Sequence, residues 1–241
     1  WDYGPLGTQL KENIKNLWMK EFVQKRKDMI LLDAAIMMNP NVWVASGHVG
    51  SFSDPLMECR DCHTRHRADK LIEEAIEKDA NFPVPTNWAG DKTPLEDLNT
   101  YIAGGSIACP NCGKRNWGDV KRFNLMLSTS QGTTEDATAL VYLRPETAQG
   151  IFVNFPNIAR SSRKKIPFGV AQCGKAFRNE ITPKNFIFRT REFEQIEIEY
   201  FCKPGTDAEL FEQWLIDEGK FFVDILGFKS EKVRFVEIPA E

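Results

Sequence analysis

Two C-x-x-C pairs constrain the fold of this 241-residue chain more than any other feature of its sequence. The pairs are Cys59 with Cys62 and Cys109 with Cys112, and about 45 residues separate them. A two-residue spacer lets both sulfurs of a pair point at one centre, so two pairs can place four thiolates tetrahedrally around Zn²⁺. Gly113 follows the second pair, where a turn with positive φ requires glycine. The spacing predicts a zinc knuckle with a helical insert looped out between the two pairs.

Other interpretations of these cysteines stay open at this point. Cys59-x-x-Cys62-His63 also matches the c-type haem attachment motif, although the second pair would then have no explanation. A disulfide framework is disfavoured by the apparently cytoplasmic context, because the first five residues carry no basic or apolar region of a signal peptide. A knuckle that has lost its metal would keep the same spacing. Cys173 and Cys202 lie in apolar strand patterns and are predicted to be small buried residues.

Composition excludes several classes of protein. Hydrophobic residues make up 42% and charged residues 27% of the chain, as in ordinary globular proteins of one large or two small domains. No apolar run approaches the ~20 residues that span a bilayer. The 31 basic and 34 acidic residues give a net charge of −3, which excludes a uniformly basic nucleic-acid coat but permits a local basic patch. The chain opens inside a motif-like segment, and we expect it to be part of a longer protein.

Hydrophobic periodicity predicts an α+β fold with mostly antiparallel strands. Helices are predicted at 6–27, at 68–80, near 93–94, in part of 146–161 where Pro156 ends or kinks the helix, and after a capping box at Thr206 and Glu209. Strands are predicted at 29–38, 42–44, 123–127, 140–143, 166–177, 192–202 and 232–238.

The strand at 192–202 has a polar face that is a poor core. Period-2 alternation places Phe193, Gln195, Glu197 and Glu199 on one side of it. Such a face is a good floor for a cationic or polar ligand, although a solvated face with cross-strand Arg–Glu pairs would show the same pattern.

The loop that precedes this strand is rich in guanidinium groups. If 166–177 and 192–202 form a hairpin, Arg178 and Glu180 are expected near Phe193 and Gln195. Lys184, Arg189 and Arg191 then lie in the connecting loop. The set suits a nucleoside triphosphate, because a base can stack on an aromatic ring, guanidinium groups match phosphate oxygens and carboxylates hold Mg²⁺ or an ammonium group.

These segments also resemble a known family. Phe177-Arg178-Asn179-Glu180, the following loop and Phe188-Arg189-Thr190-Arg191-Glu192-Phe193 resemble motif 2 of the class II aminoacyl-tRNA synthetases. The segments 144–152, 1–7, 44–48 and 67–69 are similar to ones that mark the homodimeric, bacterial-type glycyl-tRNA synthetase family. The helix 6–27 and the strand ending near Pro40 are similar to motif 1, which forms the family's dimer. The family's third motif and anticodon-binding domain are not found in these 241 residues.

The resemblance implies a fold and a domain organisation. It implies a class II synthetase-like antiparallel sheet flanked by helices, with a zinc-ribbon-like insertion. The first part of the catalytic core, with motif 1, is expected at 1–56, the knuckle insertion at 57–118, and the second part of the core, with motif 2, at 119–241.

The resemblance also implies an activity and its partners. It implies ATP-dependent activation of glycine to glycyl-adenylate and transfer of the glycyl group to tRNA(Gly), by a cytoplasmic homodimer without membrane attachment. ATP and Mg²⁺ are the implied cofactors, with a structural Zn²⁺ on the four paired cysteines. Rejection of alanine would be steric, because carboxylates packed around Cα leave no room for a methyl group.

Site residues follow from the same resemblance. Arg178 and Glu180 are the implied catalytic residues. The implied ATP-binding residues are Arg178, Asn179, Glu180, Phe188, Arg189, Thr190, Arg191, Glu192 and Phe193. The implied glycine-binding residues are Arg67, Glu146, Phe193, Glu194, Gln195, Ile196 and Glu197. The implied metal ligands are Cys59, Cys62, Cys109 and Cys112.

Two other functions remain as alternatives. One is a non-catalytic zinc-ribbon module that binds nucleic acid through basic residues near the knuckles, namely Arg60, His63, Arg65, His66, Arg67, Lys70, Lys114, Arg115, Lys121 and Arg122. The other is a synthetase-like protein that binds nucleotide without aminoacylation.

Overall fold

The computed structural model describes residues 1–79, 81–133 and 139–238, which fall into two compact units. Unit 1 comprises Trp1–Met38, Glu146–Phe177 and Glu192–Glu241, and unit 2 comprises Asn39–Pro145 and Arg178–Arg191. Both units mix helices with strands, and four of the five strand pairings are antiparallel. The predicted α+β class is therefore confirmed. No helix in the described ranges combines the length and the apolar character that crossing a membrane requires.

Unit 1 is built on a three-stranded sheet. Its strands are β1 (Met29–Leu32), β7 (Phe168–Phe177) and β8 (Glu192–Phe201), with β7 in the centre. β1 runs parallel to β7, and β7 runs antiparallel to β8. The helices of this unit are α1 (Pro5–Met19), α6 (Ala148–Ser162) and α7 (Asp207–Lys220), and a π-helical turn extends α1 over Lys20–Gln24 and α7 over Phe221–Ile225.

Both faces of this sheet are covered by apolar residues. On one face, Phe22 after α1 stacks on Trp214 of α7 with ring centroids 5.9 Å apart. On the other face, Phe155 of α6 stacks on Phe168 of β7 at 5.5 Å. Burial of aromatic side chains contributes most of the hydrophobic stabilisation in such a core. The polar side chains of β8 therefore lie on a sheet that is packed on both faces by apolar residues.

Unit 2 contains smaller elements. A sheet of order β3–β2–β4 is formed by Arg65–Arg67, Ser53–Glu58 and Lys121–Asn124, and β5 (Ser128–Ser130) pairs with β6 (Leu140–Tyr142). The helices are α2 (Pro40–Ala45), α3 (His48–Ser51), α4 (Ala68–Lys78) and α5 (Leu95–Ala103). Two cysteines, Cys59 and Cys109, belong to its buried core together with Ile72, Leu98 and Trp117.

Three local predictions were wrong, at 42–44, at the Thr206 cap and at 232–238, and of the two outcomes expected at Pro156 the structure excludes a helix end. The segment 42–44 is helical rather than extended, because Pro40 opens the helix and the Asn39 side chain accepts a hydrogen bond from the Asn41 N–H at 3.0 Å. α6 continues through Pro156. Thr206 donates to the Lys203 carbonyl instead of capping α7. The segment 233–238 forms no strand. The insert helix ends at Lys78, and Ala80 lies outside the described residues.

Candidate functional site

The four paired cysteines come together in unit 2. Their sulfurs all lie within 4.8 Å of one another. Cys59 Sγ is 3.6 Å from Cys112 Sγ, and Cys62 Sγ is 3.7 Å from Cys109 Sγ. A tetrahedral site with Zn–S bonds of about 2.3 Å places its sulfurs about 3.8 Å apart. The predicted cluster is confirmed, and its donor set and spacing fit a structural zinc ion.

The two cysteine pairs have the same backbone hydrogen-bond pattern. The Cys59 N–H donates to the Thr64 carbonyl at 2.9 Å, and the His63 N–H donates to the Cys59 carbonyl at 2.8 Å. The second pair repeats this pattern with Cys109, Lys114 and Gly113. His63 and Gly113 occupy equivalent left-handed positions, with φ of 57° and 74°. His63 therefore serves as a turn residue, which together with the four clustered thiols argues against haem attachment.

One thiol of the cluster is strongly polarised. Hydrogen bonds from the Thr64 hydroxyl and from the Asn111 side chain lower the pKa of Cys62 to about 5. Zinc binds the thiolate form, so this environment favours metal binding at neutral pH. All six cysteines of the chain are free rather than disulfide-bonded.

A buried ion-pair network lies at the junction of β3 and α4 in unit 2. Arg67 makes two hydrogen bonds to Asp69, at 3.1 and 2.5 Å, and a third contact to Asp54 at 2.9 Å. Asp69 is fully buried. Burial lowers the pKa of Arg67, but the bonds and charge of Asp69 and the charge of Asp54 outweigh this effect and raise it. Burial raises the pKa of Asp54, which Arg67 offsets only in part.

The loop 178–191 presents further guanidinium groups in unit 2. Arg178 donates from Nε to the Pro145 carbonyl at 3.1 Å, and its guanidinium lies 5.5 Å from the centre of the Phe52 ring. Arg189 lies 3.5 Å from the Glu180 carboxylate. Arg191 donates to the Glu180 carbonyl at 2.8 Å, which ties the two ends of the loop together.

A cavity of about 430 Å³ lies between this loop and β2, β3 and α4 within unit 2. Its charged lining is mixed, with acidic side chains from Asp54, Glu74 and Glu180. Its basic side chains are Arg65, His66, Arg67, Lys70, Lys184 and Arg189. Several of these basic groups are paired with carboxylates, among them Arg67 with Asp54 and Arg189 with Glu180, so an anionic ligand would share or replace such partners.

Unit 1 carries a contrasting acidic cluster at the start of α6, formed by Glu146, Glu197 and Glu199. Thr147 donates from its hydroxyl to the Glu197 carboxylate and from its backbone N–H to Gln195 Oε1, the latter at 3.3 Å. Glu146 accepts a hydrogen bond from Gln149 at 3.1 Å. Burial, and then the charges of Glu197 and Glu146, raise the pKa of Glu199. Carboxylates gathered in this way suit an ammonium ligand.

The predicted hairpin of β7 and β8 is confirmed. Phe193 pairs with Ala176, and the Arg178 N–H donates to the Arg191 carbonyl at 3.0 Å just beyond the paired strands. The strand pairing ends with Phe177 opposite Glu192. Arg178 and Glu180 therefore lie in the loop, beyond the paired part of the two strands.

The candidate site residues are distributed over both units. Arg67 and the loop 178–191, with Asn179 and Thr190, belong to unit 2, whereas Glu146 and the segment 192–197 belong to unit 1. Within unit 1, Glu194 lies on the opposite face of β8 from Glu197 and pairs with Lys11 at 2.5 Å. Ile196 shares that face, and Phe188 in the loop is 82% exposed.

Three polar residues of these regions were missed from the sequence. Thr147 lies inside the recognised segment 144–152, but only the structure shows that it joins Gln195 and Glu197. Glu199 was placed on the correct face of β8 without a role. Asp54 gave no signal, because it lies on a short strand far from Arg67 in the sequence.

Comparison with known proteins identifies relatives of this geometry. The family described as tRNA synthetase class II core domain (G, H, P, S and T) matches residues 132–238. The chain is 56% identical over 242 residues to glycine–tRNA ligase of Clostridium acetobutylicum, covering 100% of this chain and 51% of that protein. It is 59% identical over 214 residues to glycine–tRNA ligase of Acetivibrio thermocellus, covering 89% of this chain and 45% of that protein.

The fold has a counterpart among solved structures. The RNA-binding domain of threonyl-tRNA synthetase from Cryptosporidium parvum matches with a TM-score of 0.50 and 16% identity, over 94% of this chain and 37% of that one. At this identity the likeness concerns the fold alone. The chain spans about half the length of the curated relatives it matches. Taken with the motif 2 hairpin, these matches show that the chain belongs to the class II aminoacyl-tRNA synthetase family, with its high-identity relatives among the glycine–tRNA ligases.

Proposed function

We propose that this chain is the part of a glycine–tRNA ligase that activates glycine with ATP and transfers the glycyl group to tRNA(Gly). The observation that carries this proposal is the acidic cluster with Thr147 at Glu146 and Glu197, in a chain 56% identical to named glycine–tRNA ligases. A cluster of carboxylates attracts a substrate whose only cationic group is its ammonium. The first step joins two anions, so positioning and charge stabilisation supply most of the catalysis.

The guanidinium groups of the loop 178–191 have proposed roles in that step. Arg178 bridges the glycine carboxylate and the α-phosphate of ATP and stabilises the charge that develops at phosphorus. Glu180 helps to place ATP, and Arg189, with Arg191, takes the terminal phosphates. The roles of Glu180 and Arg189 are supported by their place in the charged lining of the unit 2 cavity.

The remaining residues have proposed roles in binding. Phe193 stacks on the adenine ring. The other residues assigned to ATP binding are Asn179, Phe188, Thr190 and Glu192. Glu146 and Glu197 hold the glycine ammonium. Gln195 accepts a hydrogen bond from the Thr147 N–H and so fixes the position of Thr147 in the acidic cluster. Arg67 is held by Asp54 and Asp69, which favours a supporting role near the substrate over direct binding. Glu194 and Ile196 lie on the other face of β8 and complete the strand.

Metal ions and assembly belong to the same proposal. Cys59, Cys62, Cys109 and Cys112 would hold a structural Zn²⁺, which would cross-link the two halves of an insertion at 57–118 within a core at 1–56 and 119–241. Mg²⁺ would neutralise the phosphates of ATP. We further propose a cytoplasmic homodimer that pairs through α1 and β1, because α1 leaves Leu6 and Leu10 87% and 61% exposed.

The nucleic-acid-module alternative is weakened by the pairing of its basic residues. Lys114 contacts Asp61 at 3.0 Å, Arg65 contacts Glu58 at 2.9 Å, and Arg122 donates to the Thr93 carbonyl at 2.9 Å. Side chains engaged in this way are less available to phosphates. A synthetase-like protein without aminoacylation would keep the same geometry, and activity separates it from the proposal.

Glycine-dependent ATP–pyrophosphate exchange by the intact protein tests the proposal. We expect Arg178→Ala to lower kcat for exchange about 100-fold or more, because a charge-stabilising donor is lost. Glu146→Gln should raise the KM for glycine much more than the KM for ATP. Lys114→Ala, on the knuckle surface, is the matched control and should leave exchange unchanged. Near-normal exchange by the Arg178→Ala variant would contradict the assigned role.

A further inference from the structure

Gln172 is buried in a way that its chemistry does not favour. Its side chain is fully buried, and neither its Oε1 nor its Nε2 has a hydrogen-bond partner among the described residues. Burying an unpaired amide costs free energy, whereas an apolar side chain of similar size would pack there without that cost. A buried polar group of this kind requires a physical explanation.

The amide of Gln172 lies on the same face of the sheet as the acidic cluster. Gln172 lies in the central strand β7, directly opposite Glu197 of β8 and Leu32 of β1. Directly paired residues of a sheet point to the same face, with Cβ atoms about 5 Å apart. The first turn of α6 covers the amide closely, since a Cβ added at Gly150 would lie 3.5 Å from Gln172 Oε1.

Some polar groups near Gln172 have hydrogen-bond partners, whereas one carboxylate lies among like charges. Thr147 donates to Glu197 through its hydroxyl and to Gln195 through its backbone N–H. Glu199, the next residue of β8 on this face, is half-buried beside Glu197 and Glu146, and both of those neighbours are acidic. Glu199 therefore lies among like charges, on the same face of the sheet as an amide that has no partner among the described residues. A ligand with an ammonium group would compensate the charge and engage the amide.

We propose that Gln172 is a positioning residue for the Glu197 carboxylate, and this inference rests on the proposed function. When the ammonium group of the amino acid binds Glu197, one carboxylate oxygen accepts from the ligand. The Gln172 Nε2 then donates to the other oxygen, in place of the Thr147 hydroxyl. The carboxylate is thereby held in a fixed orientation, and the buried amide gains the partner that it lacks in the ligand-free form.

Gln172→Met in the intact protein tests the inference, because methionine keeps the length of the side chain and removes the amide. We expect the KM for glycine in ATP–pyrophosphate exchange to rise about tenfold, the loss of one charge-assisted hydrogen bond. The KM for ATP should stay within about twofold, because the proposed role of Gln172 concerns only the carboxylate that binds the amino acid. The Tm should be unchanged or higher, since an unpaired buried amide has been removed.

Val170→Ala is the matched control. Val170 is fully buried on the same face of β7, two residues away, and has only packing contacts to lose. We expect its Tm to fall while the KM for glycine stays unchanged. The two variants therefore separate a loss of packing from a loss of positioning.

Several outcomes would overturn the inference. A wild-type KM for glycine in the Gln172→Met variant would do so while leaving the proposed function intact. If Gln172→Met does not fold, Gln172→Leu replaces it. A lower Tm together with equal changes in both KM values would show that the amide is merely structural. Absence of glycine-dependent exchange in the wild-type protein would instead refute the proposed function, and this inference with it.

Discussion

A buried charge of unit 2 and a half-buried charge of unit 1 lie in opposite electrostatic environments. In unit 2, Arg67 is enclosed by Asp54 and the fully buried Asp69, so positive and negative groups compensate each other inside the protein. In unit 1, Glu199 is raised in pKa by burial and by two further carboxylates, and Gln172 is buried without a partner. The charge of Arg67 is therefore compensated by its neighbours, whereas the charge of Glu199 is opposed by burial and by like charges.

This difference separates structural polarity from functional polarity. A closed network such as that of Arg67 needs no ligand and contributes to the stability of unit 2. An open set is destabilising by itself and becomes favourable only when a ligand of the opposite character binds. The four thiols of unit 2 are another open set, and the ligand that fits them is a metal ion rather than a substrate.

Disrupting the thiol set should have the largest effect. Cys59 is fully buried in the core of unit 2, so Cys59→Ser removes both a metal ligand and an apolar core atom. We expect loss of bound zinc and a decrease in the free energy of unfolding of about 5 kcal/mol or more. Zinc per chain by atomic emission spectroscopy and urea unfolding measure these effects.

The control for this prediction is another cysteine. Cys202→Ser alters a thiol outside the cluster and should leave the zinc content at one ion per chain. If the wild-type protein contained no zinc, or if Cys59→Ser retained it, the thiols would not be an open set for metal.

Opening the closed network should have an intermediate effect. Asp69→Asn leaves the Arg67 charge with Asp54 alone, and breaking a buried pair by removing one partner is strongly destabilising. We expect the free energy of unfolding to fall by about 2–3 kcal/mol, less than for a fully buried pair because Arg67 is partly exposed. Urea unfolding measures the change.

The matched control is a pair on the surface of the same helix. Lys70 and Glu73 form an exposed ion pair in α4, and Glu73→Gln should cost less than about 1 kcal/mol. Equal effects of Asp69→Asn and Glu73→Gln would mean that the Arg67 network is no more closed than a surface ion pair.

Relieving the open acidic set should have the smallest effect and the opposite sign. The pKa of Glu199 is raised above its ordinary value of 4.5, so the folded state holds the proton more tightly than the unfolded state. Ionisation therefore weakens folding as the pH rises from about 4.5 through the raised pKa. Glu199→Gln should therefore increase stability at pH 7, and the gain should vanish below about pH 4.5.

Glu194, on the other face of β8, provides the counter-test. Burial raises its pKa, but the bond and charge of Lys11 outweigh this and lower it, so its ionised form stabilises the fold. That stability is present above its ordinary pKa of 4.5 and is lost as the pH falls through the lowered pKa. Glu194→Gln should therefore lower stability at pH 7. Urea unfolding from pH 3 to pH 8 compares the variants, and changes of the same sign at pH 7 would refute the distinction between the two faces.

Local chemistry made much of the fold predictable. The 3.6 periodicity of 6–27 and the alternation of 192–202 identify α1 and β8, because each pattern has one stable way to bury its apolar side. Where local signals compete, the prediction failed. Val42-Trp43-Val44 favours a strand by propensity, but the Asn39 cap and Pro40 favour a helix, and Trp43 is fully buried in that helix.

Sequence alone determined the family, the pairing of the cysteines and the alternation that places Gln195, Glu197 and Glu199 on one face, because these depend on identity and spacing along the chain. Tertiary structure alone decided which charges are compensated. Asp54 reaches Arg67 across a strand pairing, and Thr147 reaches Glu197 from the start of a helix 50 residues earlier in the chain. Burial and desolvation depend on what covers a residue in space, so the unpaired amide of Gln172 could be recognised only after folding.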